Sequence, residues 1–262
     1  MAKRPDPGAV KTRLTSAVVA TTETTAGDGK GRARVEPMPA LSPDRAGRIA
    51  RAMLECVYGR LRSVFRDRVI LAVTPDDAGD LDLPHVDHIV PQGSGALGQR
   101  MNTAWLGALQ VFGQPEDLPV AFFGMDSPDV PFDVLLRLEL VLRGQRQHVA
   151  RGEADDLAQA TTLGGNPGVW IGPTQDGGYW TLACRAHHPI LLDGVEWGSP
   201  HVCEQTVRSA ESAGLCVERL RTWYDVDRPA DLAALRDRIE GSHEPMLRVL
   251  AQRLDQIGIT PE

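Results

Sequence analysis

Apolar and polar positions along the chain follow two periods, and the changes between them mark out helices and strands. Apolar residues recur at helical spacing in six segments: 42–61, 96–112, 131–142, 201–213, 230–239 and 246–257. Short apolar runs bounded by turn residues fall in six more: 68–73, 87–90, 118–123, 169–171, 179–183 and 216–220. Strands that alternate with helices are typical of an α/β protein. We therefore predict a mostly parallel sheet covered by helices in a three-layer α/β/α arrangement.

One stretch breaks this pattern. Residues 15–43 are rich in Thr, Ala, Gly, Pro and charged residues and show neither period. We interpret them as a flexible insertion, either a flap over an active site or a plain loop, and the composition favours the plain loop. The rest of the pattern predicts a single domain over 1–241, with a C-terminal helix in 242–262 that packs on it.

Composition and charge narrow the class of protein. The 262 residues are 42% hydrophobic and 24% charged, as in soluble globular proteins, and no apolar run is long enough to span a membrane. The formal charge of −7 argues against nucleic acid or an anionic membrane as a partner. The four cysteines are scattered, without a CxxC pair, and the first residues lack the apolar core of a signal peptide. We expect a cytoplasmic protein, and nothing in the sequence sets its oligomeric state.

The strongest sign of chemistry is an acid at the end of an apolar run. The run 118–123 ends at Gly124 and is followed by Asp126. A carboxylate at the carboxyl end of a buried strand lies where α/β folds bind ligands, and it suits a hard divalent cation. Its alternative role is to cap the next helix. Because Ser127 or Asp129 can take that role, we favour metal binding by Asp126.

Two further acidic turns follow along the chain. The Asp-Gly-Gly turn at 176–178 is either an ordinary hairpin turn or part of a pocket wall that includes Tyr179. Asp225 and Asp227 are two positions apart, so both can face one metal ion. Alternatively, one of them ligates the metal while the other caps the following helix.

Glycine loops that carry cations are candidates for phosphate binding. The opening loop holds Gly8 with Lys11 and Arg13, whose spacing places both cations on one side of an extended backbone. It matches neither a Walker loop nor GxGxxG, and an exposed basic tail explains it equally well. A second glycine loop at 92–95 precedes a helix that carries Arg100 in its first turn, and a helix N-terminus can hold phosphate.

Six segments in this order resemble one known family. They read Lys-x-Pro-x-Pro-Gly-x-Val-Lys-Thr-Arg-Leu at 3–14, Leu-Gly-x-Arg-Met at 97–101, Gly-x-Asp-Ser-Pro at 124–128, Gly-Pro-x-x-Asp-Gly-Gly-Tyr at 172–179, Glu-Trp at 196–197 and Asp-Val-Asp-x-Pro-x-Asp-Leu at 225–232. The set resembles the bacterial DUF2064 family of proposed glycosyltransferases, apart from the insertion. That family is similar to the GT-A nucleotide-diphospho-sugar transferases and to molybdenum-cofactor nucleotidyltransferases.

The resemblance implies a GT-A fold and a donor site. Lys11 and Arg13 would hold a diphosphate, and Asp126 would bind Mg²⁺ or Mn²⁺. Asp225 or Asp227 would give the metal a second contact.

The resemblance also implies an acceptor site. Asp176 would contact the acceptor hydroxyl or act as its base. The other residues assigned to substrate binding are Gly8, Arg100, Gly177, Gly178, Tyr179 and Trp197.

The chain departs from the family at two places. Relatives carry an apolar first strand before the opening loop, whereas only Met1 and Ala2 precede Lys3 here. Either the sheet lacks its first central strand or that strand begins upstream. Relatives also tend to read Trp-Ser-Thr where this chain has Trp197 followed by Gly198 and a serine, so we expect the acceptor side to differ.

The leading hypothesis is a metal-dependent glycosyltransferase with a nucleotide-diphospho-sugar donor and a small-molecule acceptor. Two alternatives stay open. One is a nucleotidyltransferase that releases pyrophosphate from a nucleoside triphosphate, where Lys11 would serve equally well. The other is a non-catalytic nucleotide-binding protein, which the short first strand motivates.

Overall fold

The structure is a computed structural model that describes residues 2–3, 41–74, 86–113, 118–144 and 168–260. The strands are β1 Ala2–Lys3, β2 Ile70–Thr74, β3 His88–Pro91, β4 Val120–Phe123, β5 Val169–Pro173, β6 Tyr179–Cys184 and β7 Val217–Arg219. The helices are α1 Pro43–Phe65, α2 Leu97–Val111, α3 Phe132–Leu142, α4 Val202–Ser212, α5 Pro229–Ile239 and α6 Pro245–Gln256. Each predicted helix and strand is present, with ends that differ by a few residues.

The strands form two sheets. In the first, β1, β2 and β3 are parallel in that order. In the second, the order is β4-β6-β5-β7, where β6 is antiparallel to both neighbours and β5 is parallel to β7. It follows that β4, β5 and β7 run in one direction and end at the same edge. The prediction of an α/β protein is confirmed. The division of the described strands into two sheets was not predicted from the pattern of apolar residues.

Helices cover both faces of the strands, which makes three layers. Along β5, Trp170 packs with side chains of α1 and α3, whereas Val169 and Ile171 pack with side chains of α2 and α4. This alternation follows from the two-residue period of a strand. Both faces are apolar because both are buried, as in parallel sheets of α/β proteins.

The C-terminal helix packs on the outside of this arrangement. Leu250 and Leu254 of α6 are fully buried with Met53 of α1 and with Leu232 and Leu235 of α5. None of the helices in the described ranges is both long and apolar enough to cross a lipid bilayer.

The ends of the helices follow their local sequence. Pro43 opens α1, and the Ser42 hydroxyl accepts a hydrogen bond from the Arg45 backbone N–H at 3.3 Å. Pro229 is the first residue of α5. A backbone N–H at this position has no partner within the helix, so a proline there loses no hydrogen bond. Of the insertion predicted at 15–43, residues 15–40 lie outside the described part of the chain.

A buried arginine joins α1 to the segment after β4. Arg60 is 3% exposed and lies on the apolar side of α1. Its guanidinium donates to the carbonyl oxygens of Pro128 and Val130 at 2.5 and 2.6 Å. It also pairs with both carboxylate oxygens of Glu244. Because these groups are shielded from water, removing one partner leaves the others unsatisfied.

We predict that Arg60→Ala lowers the free energy of unfolding by about 3 kcal/mol, since it leaves two buried carbonyl oxygens and the half-buried carboxylate of Glu244 without their partner. Arg60→Lys is expected to recover only part of the loss, because an ammonium cannot reproduce the planar fork. Chemical denaturation measures both values. Arg48→Ala, at an exposed position of the same helix, serves as the control and should change stability by no more than about 0.5 kcal/mol. Equal effects of the Arg60 and Arg48 substitutions would contradict the assigned contacts.

Candidate functional site

The first acid follows β4. Gly124 ends the pairing of β4 with β6 through a hydrogen bond from its N–H to the Trp180 carbonyl at 3.0 Å. The chain then turns, and Asp126 lies partly buried just beyond the carboxyl end of the strand. This is the position that the sequence predicted for it.

The second acidic segment joins the first directly. The Val226 N–H donates to the Asp126 carbonyl at 2.9 Å. The Ser127 hydroxyl donates to Asp225 Oδ1 at 2.8 Å, although the two residues are 98 positions apart. The structure therefore brings together the loops that carry Asp126, Asp225 and Asp227, as the sequence analysis expected.

Two capping roles considered from the sequence are wrong. Neither Ser127 nor Asp129 caps α3, whose N-cap is Pro131 without a side-chain bond. Instead Ser127 bonds Asp225, and Asp129 accepts from Arg238 Nε at 2.6 Å. These side chains turn away from α3 because the segment after β7 offers them charged and polar partners.

The cap of α5 also falls on a different residue. The Asp231 carboxylate accepts hydrogen bonds from the backbone N–H groups of Asp227 and Arg228 at 3.1 and 2.8 Å. An acid in the first turn is well placed for this, since the helix dipole favours negative charge there. The capping role proposed for Asp227 is thus filled by Asp231.

The third acid lies in the turn between β5 and β6. Asp176 Oδ1 accepts hydrogen bonds from the Thr174 hydroxyl at 2.6 Å and from the Gly178 N–H at 3.0 Å. The turn itself is closed by a bond from the Thr174 N–H to the Gly178 carbonyl. Asp176 is exposed, so its side chain is accessible to a ligand. The hairpin interpretation of this segment is correct, and it leaves room for a contact with a ligand.

The carboxylates influence one another electrostatically. Burial, and then the negative charges of Asp176, Asp126 and Asp227, raise the pKa of Asp225 from its usual 3.8 to about 6, against the opposing effect of the Ser127 hydrogen bond. Four acids from the ends of β4, β5 and β7 therefore share one electrostatic site. Such a site attracts cations and repels a bare diphosphate.

Asp126, Asp225 and Asp227 stay the predicted metal ligands. Carboxylate oxygens are the ligands that Mg²⁺ and Mn²⁺ prefer. Within the ranges that the structure describes, no group of three or more His, Cys, Asp or Glu side chains is arranged so that it could hold a metal ion. A Mg²⁺ site does not require one, because this ion usually takes one or two carboxylates and completes its shell with water and substrate phosphates.

Aromatic side chains form a wall beside the Asp176 turn. The rings of Tyr179 and Trp197 meet edge to face with centroids 6.4 Å apart, and the Tyr179 hydroxyl lies 3.8 Å from Met101 Sδ. Trp197 packs on the first turn of α2 at Gly98, where a Cβ would lie 2.8 Å from the indole Nε1. Tyr179 and Trp197, two residues assigned to substrate binding, are thus in contact with α2.

The turn packs closely on the segment before α4. Gly177 has φ +92°, and a Cβ there would lie 2.0 Å from the Pro200 carbonyl oxygen. No other residue type fits this position without moving the backbone. The Gly177 carbonyl also accepts from the Cys203 N–H at 2.9 Å. The candidate residues Asp176, Gly177 and Gly178 are held in one rigid turn.

Arg100 is anchored at the start of α2. Its Nη1 donates to Gln92 Oε1 at 3.2 Å, and Gln92 Nε2 donates to the Ala72 carbonyl at 2.8 Å. Gln92 is buried. The assignment of Arg100 to a ligand stays a prediction.

The residues of the opening loop that were assigned to substrate binding, Gly8, Lys11 and Arg13, lie outside the described residues. Their assignment to a diphosphate rests on the sequence alone.

Sequence reasoning missed the residues that hold the acidic loops in place. Arg60 could have been recognised in the sequence, because it is a charged residue that interrupts an otherwise apolar stripe on a predicted helix. Ser127 was singled out, but for the wrong role. The contacts of Asp129 with Trp223 and Arg238 join segments far apart in the sequence, so no local pattern indicated them.

The fold and the acids define a class: an α/β protein with a carboxylate-rich site at the shared carboxyl edge of β4, β5 and β7. The chain belongs to the bacterial family described as "Uncharacterized protein conserved in bacteria (DUF2064)", whose model matches residues 59–199. The resemblance inferred from the six sequence segments is therefore confirmed.

A solved structure has the same fold. It is described as a putative nucleotide-diphospho-sugar transferase from Desulfovibrio desulfuricans G20 and aligns with a TM-score of 0.66 and 24% sequence identity. The alignment covers 100% of this chain and 96% of that one. No curated protein matches the chain at a significant level.

We predict that Asp225→Asn stabilises the metal-free protein at neutral pH. A folded-state pKa above the unfolded value means that ionised Asp225 costs stability as the pH rises from about 4 through about 6. The amide keeps an oxygen for Ser127 and removes the charge. Because Asp225 is partly exposed, solvent reduces this electrostatic effect. The free energy of unfolding at pH 7.5 should therefore rise by about 2 kcal/mol, which corresponds to roughly 4–8 °C in Tm.

The gain in Tm should shrink as the pH falls to 4, where the carboxyl group is neutral in both states. Asp237→Asn, at an exposed position on α5, is the matched control and should show a small difference at each pH. A loss of stability at pH 7.5, or a gain that does not depend on pH, would refute the electrostatic assignment.

Proposed function

We propose that this protein is a glycosyltransferase that uses a nucleotide-diphospho-sugar donor together with Mg²⁺ or Mn²⁺. The observation that carries the proposal is the junction of the Asp126 loop with the segment that holds Asp225 and Asp227. The likeness of the fold to a protein described as a putative nucleotide-diphospho-sugar transferase supports it.

The donor set of the site fits a divalent cation. Its carboxylates are close enough for their charges to disfavour ionisation of Asp225, and a bound cation would relieve that repulsion. Hard cations of this kind join carboxylates to substrate phosphates. When bound, the ion would neutralise the charge that develops on a departing diphosphate.

In the transfer step, one bond to the sugar forms and another breaks. The acceptor hydroxyl oxygen forms a bond to the anomeric carbon, the bond from that carbon to the diphosphate oxygen breaks, and its electron pair leaves with the diphosphate. The hydroxyl proton passes to a base. We assign Asp176 to this position, as a polar contact to the hydroxyl or as its base, through the oxygen that the turn leaves available.

The wall beside Asp176 suits a sugar or a small acceptor. Tyr179 and Trp197 offer ring surface, and the Gly177 and Gly178 backbone allows close approach. Arg100, at the start of α2, is proposed as a further substrate contact. Lys11 and Arg13, from the opening loop, are proposed as diphosphate ligands on the sequence evidence.

We predict that Asp126→Ala weakens Mn²⁺-dependent binding of nucleotides by at least tenfold. Calorimetry with UDP, GDP and CTP, each with and without Mn²⁺, measures the effect. The reason is that the ion would lose a carboxylate ligand at the junction of the two acidic loops. Asp237→Asn is again the control, and it should bind as the unmodified protein does. Unchanged affinity in Asp126→Ala would remove this residue from the metal site.

The type of transfer is tested by the products. A panel of nucleotide-diphospho-sugars and nucleoside triphosphates is incubated with the protein and Mn²⁺, and nucleoside diphosphate and pyrophosphate are measured separately. Release of nucleoside diphosphate from a nucleotide sugar is the expected result. Pyrophosphate from a triphosphate alone would contradict the proposal and indicate a nucleotidyltransferase. Metal-dependent binding without either product would indicate a nucleotide-binding protein without this activity.

A further inference from the structure

Trp197 lies in a tight turn just ahead of α4. The Ser199 N–H donates to the Glu196 carbonyl at 3.0 Å, which closes the turn. Gly198 has φ +88°, the left-handed backbone that the third position of a type II turn requires. These local features fix the shape of the turn. Its position on the rest of the protein depends on contacts with other elements.

Gln205, in the second turn of α4, makes such a contact. The Glu196 N–H donates to Gln205 Oε1 at 2.8 Å, and Gln205 Nε2 donates to Glu196 Oε2 at 3.1 Å. One amide side chain therefore binds both the backbone and the side chain of the residue next to Trp197. Each half of the amide is used, because one bond needs an acceptor and the other needs a donor.

Helix α4 is a fixed support for this contact. Cys203, Val207 and Ala210 are buried in the cluster that also contains Met101 of α2. The Cys203 N–H also donates to the Gly177 carbonyl at 2.9 Å. The start of α4 thus holds both neighbours of the candidate substrate site, the Asp-Gly-Gly turn through a backbone bond and the Trp197 turn through Gln205.

The indole of Trp197 has little room to be displaced without losing its contacts. It lies over Gly98, where a Cβ would be 2.8 Å from the indole Nε1. Its ring meets that of Tyr179 edge to face, with centroids 6.4 Å apart. A small shift of the Trp197 turn would change both contacts, and misplacement of a binding group by about 1 Å can lower the rate of a reaction severely.

We propose that Gln205 is a positioning residue of the substrate site, whose two hydrogen bonds to Glu196 hold Trp197 against Tyr179 and Gly98. Its effect on substrate is exerted through Trp197. The part of the inference that concerns substrate rests on the proposed function, whereas the part that concerns the position of Trp197 rests on geometry alone. A contact that only stabilised the start of α4 would leave the indole in place when it is removed.

The test compares variants that break and restore the pair. Gln205→Leu removes both hydrogen bonds, and Gln205→Glu keeps an acceptor but sets a second carboxylate against Glu196. Gln205→Glu combined with Glu196→Gln restores one donor and one acceptor in exchanged places. Arg208→Leu, at an exposed position of the same helix, is the control. Because the bonds of Gln205 lie at the surface, we expect each variant to stay within about 3 °C of the original Tm.

Two measurements report on the Trp197 turn in the full chain without any substrate. Amide hydrogen exchange at position 196 should be roughly fivefold faster or more in Gln205→Leu and close to the original in the combined variant. In protein labelled with fluorotryptophan, the fluorine resonance of Trp197 is assigned by its loss in Trp197→Phe. It should move or broaden in Gln205→Leu and Gln205→Glu, and return in the combined variant.

Arg208→Leu should change neither measurement. A Trp197 resonance that stays in place in Gln205→Leu would overturn the proposal. A resonance that the combined variant does not return would overturn it as well, because restored hydrogen bonds should restore the position.

The effect on substrate is measured with a nucleotide-diphospho-sugar that the original protein turns over in Mn²⁺. We expect kcat/KM to fall roughly fivefold or more in Gln205→Leu and to return to within about twofold in the combined variant. Affinity for the corresponding nucleoside diphosphate with Mn²⁺ should stay within about twofold in every variant, because the predicted metal ligands lie on other loops.

Unchanged kcat/KM in Gln205→Leu, or an equal loss of nucleoside diphosphate affinity, would overturn the effect on substrate. If the original protein turns over no nucleotide sugar, the proposed function fails. The exchange and fluorine measurements then decide by themselves whether Gln205 positions Trp197.

Discussion

The arrangement of the site depends on the junction between the loop after β4 and the segment after β7. One backbone bond, from the Val226 N–H to the Asp126 carbonyl, sets the relative position of the two acidic segments. The ion pair of the buried Asp129 with the exposed Arg238 fixes the same junction from the other side, and Arg60 holds the loop to α1. Buried charged groups with several hydrogen bonds each make such a junction specific, because every displacement leaves a polar group unpaired.

This closeness has an energetic cost. Burial, and then the like charges at the carboxyl edge, raise the pKa of Asp225 and make the ionised state less favourable than it is in water. A fold selected for stability alone has no reason to gather acids there, so the cost is itself a sign of function. A divalent cation and an anionic substrate, bound together, would turn the repulsion into attraction.

The sequence predicted the elements well and the contacts poorly. Apolar periodicity predicted the six α-helices of the described ranges, and the run before Gly124 placed Asp126 at the end of a strand, because these signals are local. The capping roles considered for Ser127 and Asp129 were wrong, because a polar residue near the start of a helix resembles a cap in the sequence whether or not it makes that contact. The division of the sheet was missed for a different reason: a two-residue strand such as β1 has no period to detect. Fold class follows from local pattern, whereas the site follows from contacts between segments about a hundred positions apart.

The claim on which the site depends is that Asp126 and the Asp225–Asp227 segment bind one ion. Anomalous diffraction from crystals grown with Mn²⁺ and a nucleoside diphosphate tests this directly. A shared site predicts a manganese peak about 2.1–2.2 Å from a carboxylate oxygen of Asp126 and from one of Asp225 or Asp227. A manganese peak bound by only one of these segments, or located elsewhere on the molecule, would contradict it.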